Sequence, residues 1–257
     1  MLLNLARLMR LDTCLLTALS ILVPLWCKTG DIVFSCIYSV PLFSIVASGF
    51  VLNDIQDTED DNINHPTRVL PSKKISMRFA VVIYFILLGV SLIAIKELIP
   101  LQYTYIYALY LILMTNYGYL KTEFPYLKIF FVLTVMGLHL FILNQLISTS
   151  MYLSIGIIFY LFARELLMDI NDLKGDGRTI VKLMGTTVSV YCSFLLQFLS
   201  IALVTFYVAN SSLDYTIMVI SITLAIFNYF YWKIETKREQ VIWIMKIQLV
   251  LLFVMIL

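Results

Sequence analysis

Apolar runs of about twenty residues recur along the whole chain, at roughly 12–29, 33–52, 77–95, 101–120, 126–146, 150–168, 183–209, 213–232 and 240–257. Each is close to the length a helix needs to cross the hydrocarbon core of a bilayer. In lipid every backbone N–H and C=O must be satisfied within the protein, so runs of this length read as helices. The breaks between them carry the expected punctuation: Lys28-Thr29-Gly30-Asp31, Lys96-Glu97 with Pro100, Phe124-Pro125, Asn144 to Ser150 and Asn210-Ser211-Ser212. Arg7 and Arg10 precede the first run in the manner of a signal peptide, but no small-residue cleavage pattern follows, so that run counts as the first span. The expectation is an all-α integral membrane protein, multi-pass, with nine transmembrane helices.

Composition agrees. Hydrophobic residues make up 61% and charged residues 13% of 257, against about a quarter charged in soluble domains. A net charge of +2, with no basic block interleaved with aromatics, argues against a nucleic-acid partner. Cys14, Cys27, Cys36 and Cys192 show no CxxC or ligand-like spacing and read as small hydrophobes.

Nine spans also sort the positive charge. Sixteen of the eighteen Lys and Arg residues fall on one side, leaving only Lys28 and Lys96 on the other. Positive residues stay on the cytoplasmic face, which fixes the orientation, with the cell membrane as the expected location.

Against this background Asn53 to Asp61 is conspicuous, with Asp54, Asp57, Glu59, Asp60 and Asp61 directly behind an apolar run. If the helix continues, Asp54, Asp57 and Asp61 share one face at i, i+3 and i+7. Like charges at that spacing repel, more so beside hydrocarbon, so such a face needs a cation. The same spacing returns 115 positions later as Asp169, Asp172 and Asp176. Both clusters fall on the cytoplasmic side, after spans 2 and 6. The constant offset suggests two pseudo-repeated four-helix units, spans 2–5 and 6–9, plus one helix, related in parallel because an even number of spans separates them.

Oxygen ligands without nearby His or Cys favour magnesium (Mg2+), which keeps several waters and is completed by substrate phosphates. Two carboxylate sets holding magnesium would bind a diphosphate. The surrounding cations suit that ligand: Arg68, Lys73 and Lys74 after the first cluster, Arg164, Lys174 and Arg178 around the second, and Tyr117 with Lys121 closing span 4. A lipid diphosphate would lay its tail among the helices, and stabilising its departure makes an allylic carbon electrophilic. Simpler readings exist for each part. The basic residues double as topology signals, and one acidic cluster could be a solvated loop or a calcium site, although the EF-hand pattern is absent. Glu59 and Asp60 fall off the shared face and read as solvated. Tyr103, Tyr105, Tyr107 and Tyr110 read as interface belt and bundle packing, and His139 as an interior hydrogen-bonded residue.

These motifs resemble a known family. Asn53-Asp54-x-x-Asp57-x-x-x-Asp61, followed by Asn64-x-Pro66-x-Arg68-x-Leu70-Pro71-Ser72 and Ile75-Ser76, resembles the first signature of the UbiA superfamily of intramembrane prenyltransferases. Arg164-Glu165, Asp169-Ile170-x-Asp172 and Gly175-Asp176 are similar to its second signature, and Tyr117-x-x-x-Lys121 to its Tyr/Lys element. Arg10-Leu11-Asp12-Thr13 with Pro24-Leu25-Trp26 is similar to the opening helix of the branch that prenylates 4-hydroxybenzoate. The Asn64–Ser76 stretch is nearer the archaeal lipid-forming branch. Lys73-Lys74 stands where the family often has Gly, and the loop after Asp176 is short and lacks the usual proline.

The resemblance implies one transmembrane prenyltransferase-like domain over 1–257, its nine helices bundled around a central cavity. It implies magnesium-dependent transfer of a prenyl group from a polyprenyl diphosphate to a hydrophobic acceptor, an aromatic one slightly ahead of a glycerol-phosphate lipid. By position, Asn53, Asp54, Asp57 and Asp61 would hold one magnesium and Asp169, Asp172 and Asp176 the other, with Asp54, Asp57, Asp172 and Asp176 as catalytic carboxylates. Arg68, Lys73, Tyr117, Lys121, Arg164 and Lys174 would surround the diphosphate. A terpene cyclase on the same scaffold and a non-catalytic cation transporter are the alternatives.

Overall fold

The computed structural model describes residues 1–147, 151–171, 173, 179–208, 212–234 and 237–254. Within them the chain is helical apart from turns: α1 (Leu2–Leu8), α2 (Leu11–Thr29), α3 (Ile32–Gln56), α4 (Thr58–Asn64), α5 (Met77–Leu98), α6 (Leu101–Glu123), a 3-10 turn (Pro125–Leu127), α7 (Lys128–Ile147), α8 (Met151–Asn171), α9 (Ile180–Met184), α10 (Thr186–Val208), α11 (Ser212–Trp232) and α12 (Arg238–Val254). Every apolar run corresponds to one of the long helices. Five segments among the described residues are long and apolar enough to cross a membrane: Leu11–Thr29, Ile32–Gln56, Met77–Leu98, Pro125–Leu146 and Thr186–Thr205. Of the helices outside that set, α6 carries six tyrosines and α8 carries Arg164, Glu165 and Asp169.

The chain divides into two compact units, Met1–Phe124 and Pro125–Leu257. The division falls at Phe124-Pro125, between the fourth and fifth long helices. The contacts gather the first four long helices in unit 1 and the remaining five in unit 2.

Unit 1 is built on α3, which packs against α2, α5 and α6. Gly30 closes α2 in the left-handed conformation (φ 70°), and Asp31 then caps α3 by accepting the Phe34 N–H at 2.9 Å. A helix surrounded by others needs narrow, internally satisfied side chains. Ser35, Ser39, Ser44 and Ser48 are all buried, and each donates its hydroxyl to a carbonyl three or four residues back. Gly49 faces Met114, and a Cβ there would overlap the Met114 methyl. The tyrosines of α6 divide: Tyr107 and Tyr110 are fully buried, Tyr107 donating to the Tyr38 carbonyl at 2.8 Å, whereas Tyr105 is exposed.

The loop between α4 and α5 is pinned from beneath. Val69, Leu70 and Ile75 are buried with Leu8, Val51 and Ala80. Its turn closes with the Lys74 N–H on the Val69 carbonyl (3.0 Å) and the Lys73 N–H on the Leu70 carbonyl (2.9 Å). Lys73 sits in the left-handed region at φ 57°, as this type of closure requires.

Unit 2 is built on α8, packed most closely on α10 and also on α7 and α12. Gly156 permits the approach, since a Cβ there would collide with Val204 and crowd the Ser200 carbonyl. Its polar groups bond between helices. The Tyr160 hydroxyl donates to Gln248 Oε1 at 2.7 Å, Asn228 Nδ2 donates to the same oxygen at 2.8 Å, and Gln248 Nε2 donates to the Ser221 carbonyl at 2.9 Å.

Candidate functional site

The first acidic motif does not continue α3 as one helix. Thr58 donates its hydroxyl to the carbonyls of Asp54 (2.8 Å) and Ile55 (3.0 Å), competing with the backbone ladder. The helix ends at Gln56, and Asp57 becomes the joint before α4, its N–H on the Asn53 carbonyl and its own carbonyl accepting the Asp61 N–H, both at 2.8 Å. Asp54 and Asp61 are buried, while Glu59 and Asp60 are exposed, as the sequence implied.

Each aspartate of the first triad has a cation of its own. Arg10 Nη2 lies 2.8 Å from Asp54 Oδ1. Lys121 Nζ lies 3.0 Å from Asp57 Oδ2, which also accepts from Asn53 Nδ2 at 2.8 Å. Arg68 Nη1 reaches both oxygens of Asp61, at 2.6 and 2.8 Å. Three different segments supply these cations: the start of α2, the end of α6 and the pinned loop. Gly118 makes the α6 approach possible, because a Cβ there would overlap the Gln56 amide. Tyr117, one turn before Lys121, is half-buried. Lys73 is exposed on its turn.

Arg10 is held with unusual firmness. Its backbone is left-handed at φ 47°, and its guanidinium lies 4.9 Å from the Phe50 ring centroid, one turn along α3 from Asp54. Burial opposes its charge, but Asp54, with Asp61 and Asp57 beyond it, outweighs that cost and raises its pKa above the ordinary arginine value.

At the second motif, Asp169 is 2% exposed and bonded to Lys128 Nζ at 2.7 Å. Arg164 Nη1 donates to Glu165 Oε1 at 2.8 Å, and its Nε is buried without a hydrogen-bond partner among the described residues. Asp172, Lys174 and Asp176 lie outside the described residues.

Arg10 and Lys128 are the residues that spacing rules do not assign to the site: Lys128 reads as a topology charge, and Arg10 as that and as part of the family-like opening helix. The signal was present nonetheless. Arg10 precedes Asp54 by 44 positions and Lys128 precedes Asp169 by 41, each at the start of the helix before its motif.

For magnesium the donor chemistry fits at the first motif: Asn53, Asp54, Asp57 and Asp61 are all hard oxygen ligands, and Asn53 Oδ1 is buried with no hydrogen-bond partner among the described residues. A buried carbonyl oxygen left unpaired beside a carboxylate is suited to a hard cation. Among the described residues no three acidic, His or Cys side chains converge on one point, since each carboxylate is turned to its own Arg or Lys.

The sequence pattern of the UbiA prenyltransferase family matches residues 14–254, across both units. The digeranylgeranylglyceryl phosphate synthase of Methanosphaera stadtmanae is 28% identical over 212 residues, 79% of this chain and 77% of its own. The enzyme of the same name from Saccharolobus solfataricus is 31% identical over 57% of this chain, which spans about half (54%) of that relative. Among solved structures, a digeranylgeranylglyceryl phosphate synthase shares the fold with TM-score 0.68 at 21% identity, covering 98% of this chain and 97% of its own. A UbiA homolog from Archaeoglobus fulgidus bound to GPP and Mg2+ shares it with TM-score 0.68 at 13% identity, covering 98% and 99%.

Proposed function

Because the chain belongs to the UbiA prenyltransferase family and is by that membership an intramembrane transferase, we propose that it transfers a prenyl group from a polyprenyl diphosphate to a prenylated glyceryl phosphate. The observation that carries this is the first acidic motif, three aspartates and an orphaned asparagine oxygen at the end of a spanning helix with Arg68, Lys121 and Arg10 upon them. The archaeal lipid synthases among the relatives turn the acceptor from aromatic towards glyceryl phosphate.

In this reading Asn53, Asp54, Asp57 and Asp61 hold magnesium in unit 1, and Asp169, Asp172 and Asp176 hold it in unit 2. When bound, magnesium neutralises charge on the departing diphosphate. The chain's own residues do the rest. Lys121 and Arg68, already fixed on Asp57 and Asp61, present positive charge where phosphate oxygens arrive, and Lys73, Arg164 and Lys174 add to it. Arg10 and Lys128 hold the first aspartate of each motif in place. The nine long helices all span the bilayer, and both motifs face the cytoplasm on the positive side of the chain.

The test is product analysis by mass spectrometry in liposomes with magnesium and geranylgeranyl diphosphate, offering in turn a geranylgeranyl glyceryl phosphate and 4-hydroxybenzoate. An ether product from the first acceptor alone is expected. Prenylated 4-hydroxybenzoate instead would reassign the acceptor, and a cyclic hydrocarbon or alcohol without acceptor would make the chain a cyclase. Asp57→Ala and Asp172→Ala should each lower turnover by about a hundredfold or more. Full magnesium-dependent turnover in both would overturn the two-motif site.

A further inference from the structure

A cavity of about 550 Å³ opens among the ends of α8, α10, α11 and α12. It is lined at its α8 end by Ile170 and Asn171. Neither Lys128 nor Asp169, the ion pair of the second motif, is among its lining residues, although it rests on the same helix end.

Part of its lining is polar and basic. Thr186 and Thr187 open α10, a 23-residue helix whose first N–H groups lack partners within the helix and whose dipole favours an anion. Lys233 and Arg238 line the cavity as well. Both are braced on aromatic rings, Lys233 Nζ 4.8 Å from the Tyr229 centroid and the Arg238 guanidinium 5.4 Å from that of Trp232. The rest of the lining is apolar and aromatic, including Leu173, Val190 and Tyr191. The segment Thr186–Thr205 is long and apolar enough to cross a membrane, which puts its first threonines at a bilayer surface. Two cations, two hydroxyls and a helix start in one cavity with hydrocarbon-compatible side chains match one amphiphile. Basic pockets between spanning helices at the membrane surface bind anionic head groups.

We propose that this cavity binds the phosphate of an anionic phospholipid, whose head group then braces the end of α8 that carries the second acidic motif. A free phosphate would use Lys233 and Arg238 but leave Leu173, Val190 and Tyr191 in water. The site concerns binding and stands apart from the transfer reaction, so its readout is lipid retention.

The full-length protein, purified in mild detergent, is exposed to mixed phosphatidylglycerol and phosphatidylcholine, and retained lipid is quantified by native mass spectrometry. A second arm titrates inorganic phosphate against bound phosphatidylglycerol. The wild type should retain phosphatidylglycerol over phosphatidylcholine by roughly tenfold, and Lys233→Gln with Arg238→Gln should abolish that preference. Thr187→Asp controls for misfolding, because an acidic residue in the first turn favours the helix while repelling a phosphate. It should lower phosphatidylglycerol retention to a similar degree at unchanged helix content. Equal retention of phosphatidylglycerol by wild type and Thr187→Asp overturns the proposal. So does displacement by inorganic phosphate with no preference between the two lipids, which would make it a free-phosphate site.

Discussion

The two units carry the same device at their acidic ends and solve their interiors in different ways. In each, a cation at the start of one helix grips the first aspartate at the end of the next: Arg10 on Asp54 in unit 1, Lys128 on Asp169 in unit 2. In unit 1 the central helix satisfies its own serines by back-bonding and is packed through small side chains. In unit 2 the central helix is tied to α12 and, through Gln248, to α11. The difference teaches that placing the acidic end does not depend on how the hub is buried. It depends on the cation from the preceding helix, which is the part the units share.

Removing that cation gives the largest effect and tests the likeness directly. Lys128→Ala removes the cation 2.7 Å from a buried carboxylate, in a pair exposed by only 13% and 2%. Breaking a buried pair by deleting one partner costs up to about 3–5 kcal/mol. The Arg10 side chain is 30% exposed, so solvent reaches Asp54 when it goes, and the cost of Arg10→Ala should be smaller, at about 1–3 kcal/mol. Thermal unfolding in detergent would rank the two, and a more damaging Arg10→Ala would show that the pairs are not equivalent.

The interiors can be set against each other by polar deletions. Gln248→Leu strands the Asn228 amide, leaves the Tyr160 hydroxyl only the longer bond to the Met245 carbonyl at 3.2 Å, and removes the cross-helix donor on the Ser221 carbonyl, and should cost about 1–3 kcal/mol. Ser48→Ala removes a hydroxyl bonded only to its own helix and should change stability by less than about 0.5 kcal/mol. Equal losses, read from the same unfolding transitions, would mean that α3 relies on polar contacts as much as α8 does.

What the sequence discloses divides along similar lines. The long helices follow from hydrophobic run length, which is a local property, and α3 and α8 emerge with their acidic ends where the pattern placed them. The joint at Asp57 was not legible, because it turns on the choice of Thr58 to bond the Asp54 and Ile55 carbonyls. The seven-residue α4 and five-residue α9 are too short to show a period. The pairing of Arg10 and Lys128 with their aspartates was not legible, since pairing across more than forty residues requires the hairpin to be closed first. The bounds of the compact units were not legible for a related reason. The constant spacing of aspartates does not say where a unit begins, and the division falls at Phe124-Pro125.

A smaller effect probes how unit 1 brings its second cation to the motif. Gly118 lies beneath the Gln56 amide, and the methyl of Gly118→Ala meets the tip of that flexible side chain, so the stability cost should be only about 1 kcal/mol. Whatever part of the overlap the Gln56 tip does not absorb moves α6, and with it Lys121, whose 3.0 Å contact to Asp57 then lengthens. Turnover should fall several-fold while the unfolding temperature barely changes, and an unaltered rate would show that the Lys121 contact is not needed at that length.

The subtlest test separates backbone from side chain at Lys73, which has no described counterpart in unit 2. Its left-handed φ of 57° costs a side-chain-bearing residue about 1 kcal/mol, a penalty glycine does not incur. Lys73→Gly should therefore stabilise the protein by up to that amount, because the buried Val69, Leu70 and Ile75 keep the turn closed. If the exposed ammonium serves the diphosphate, the same variant raises KM for the prenyl diphosphate with little change in kcat, as loss of ground-state binding requires. Stability and affinity then move in opposite directions, and a stabilised variant with an unchanged KM would remove Lys73 from the site while leaving Arg68 and Lys121 in place.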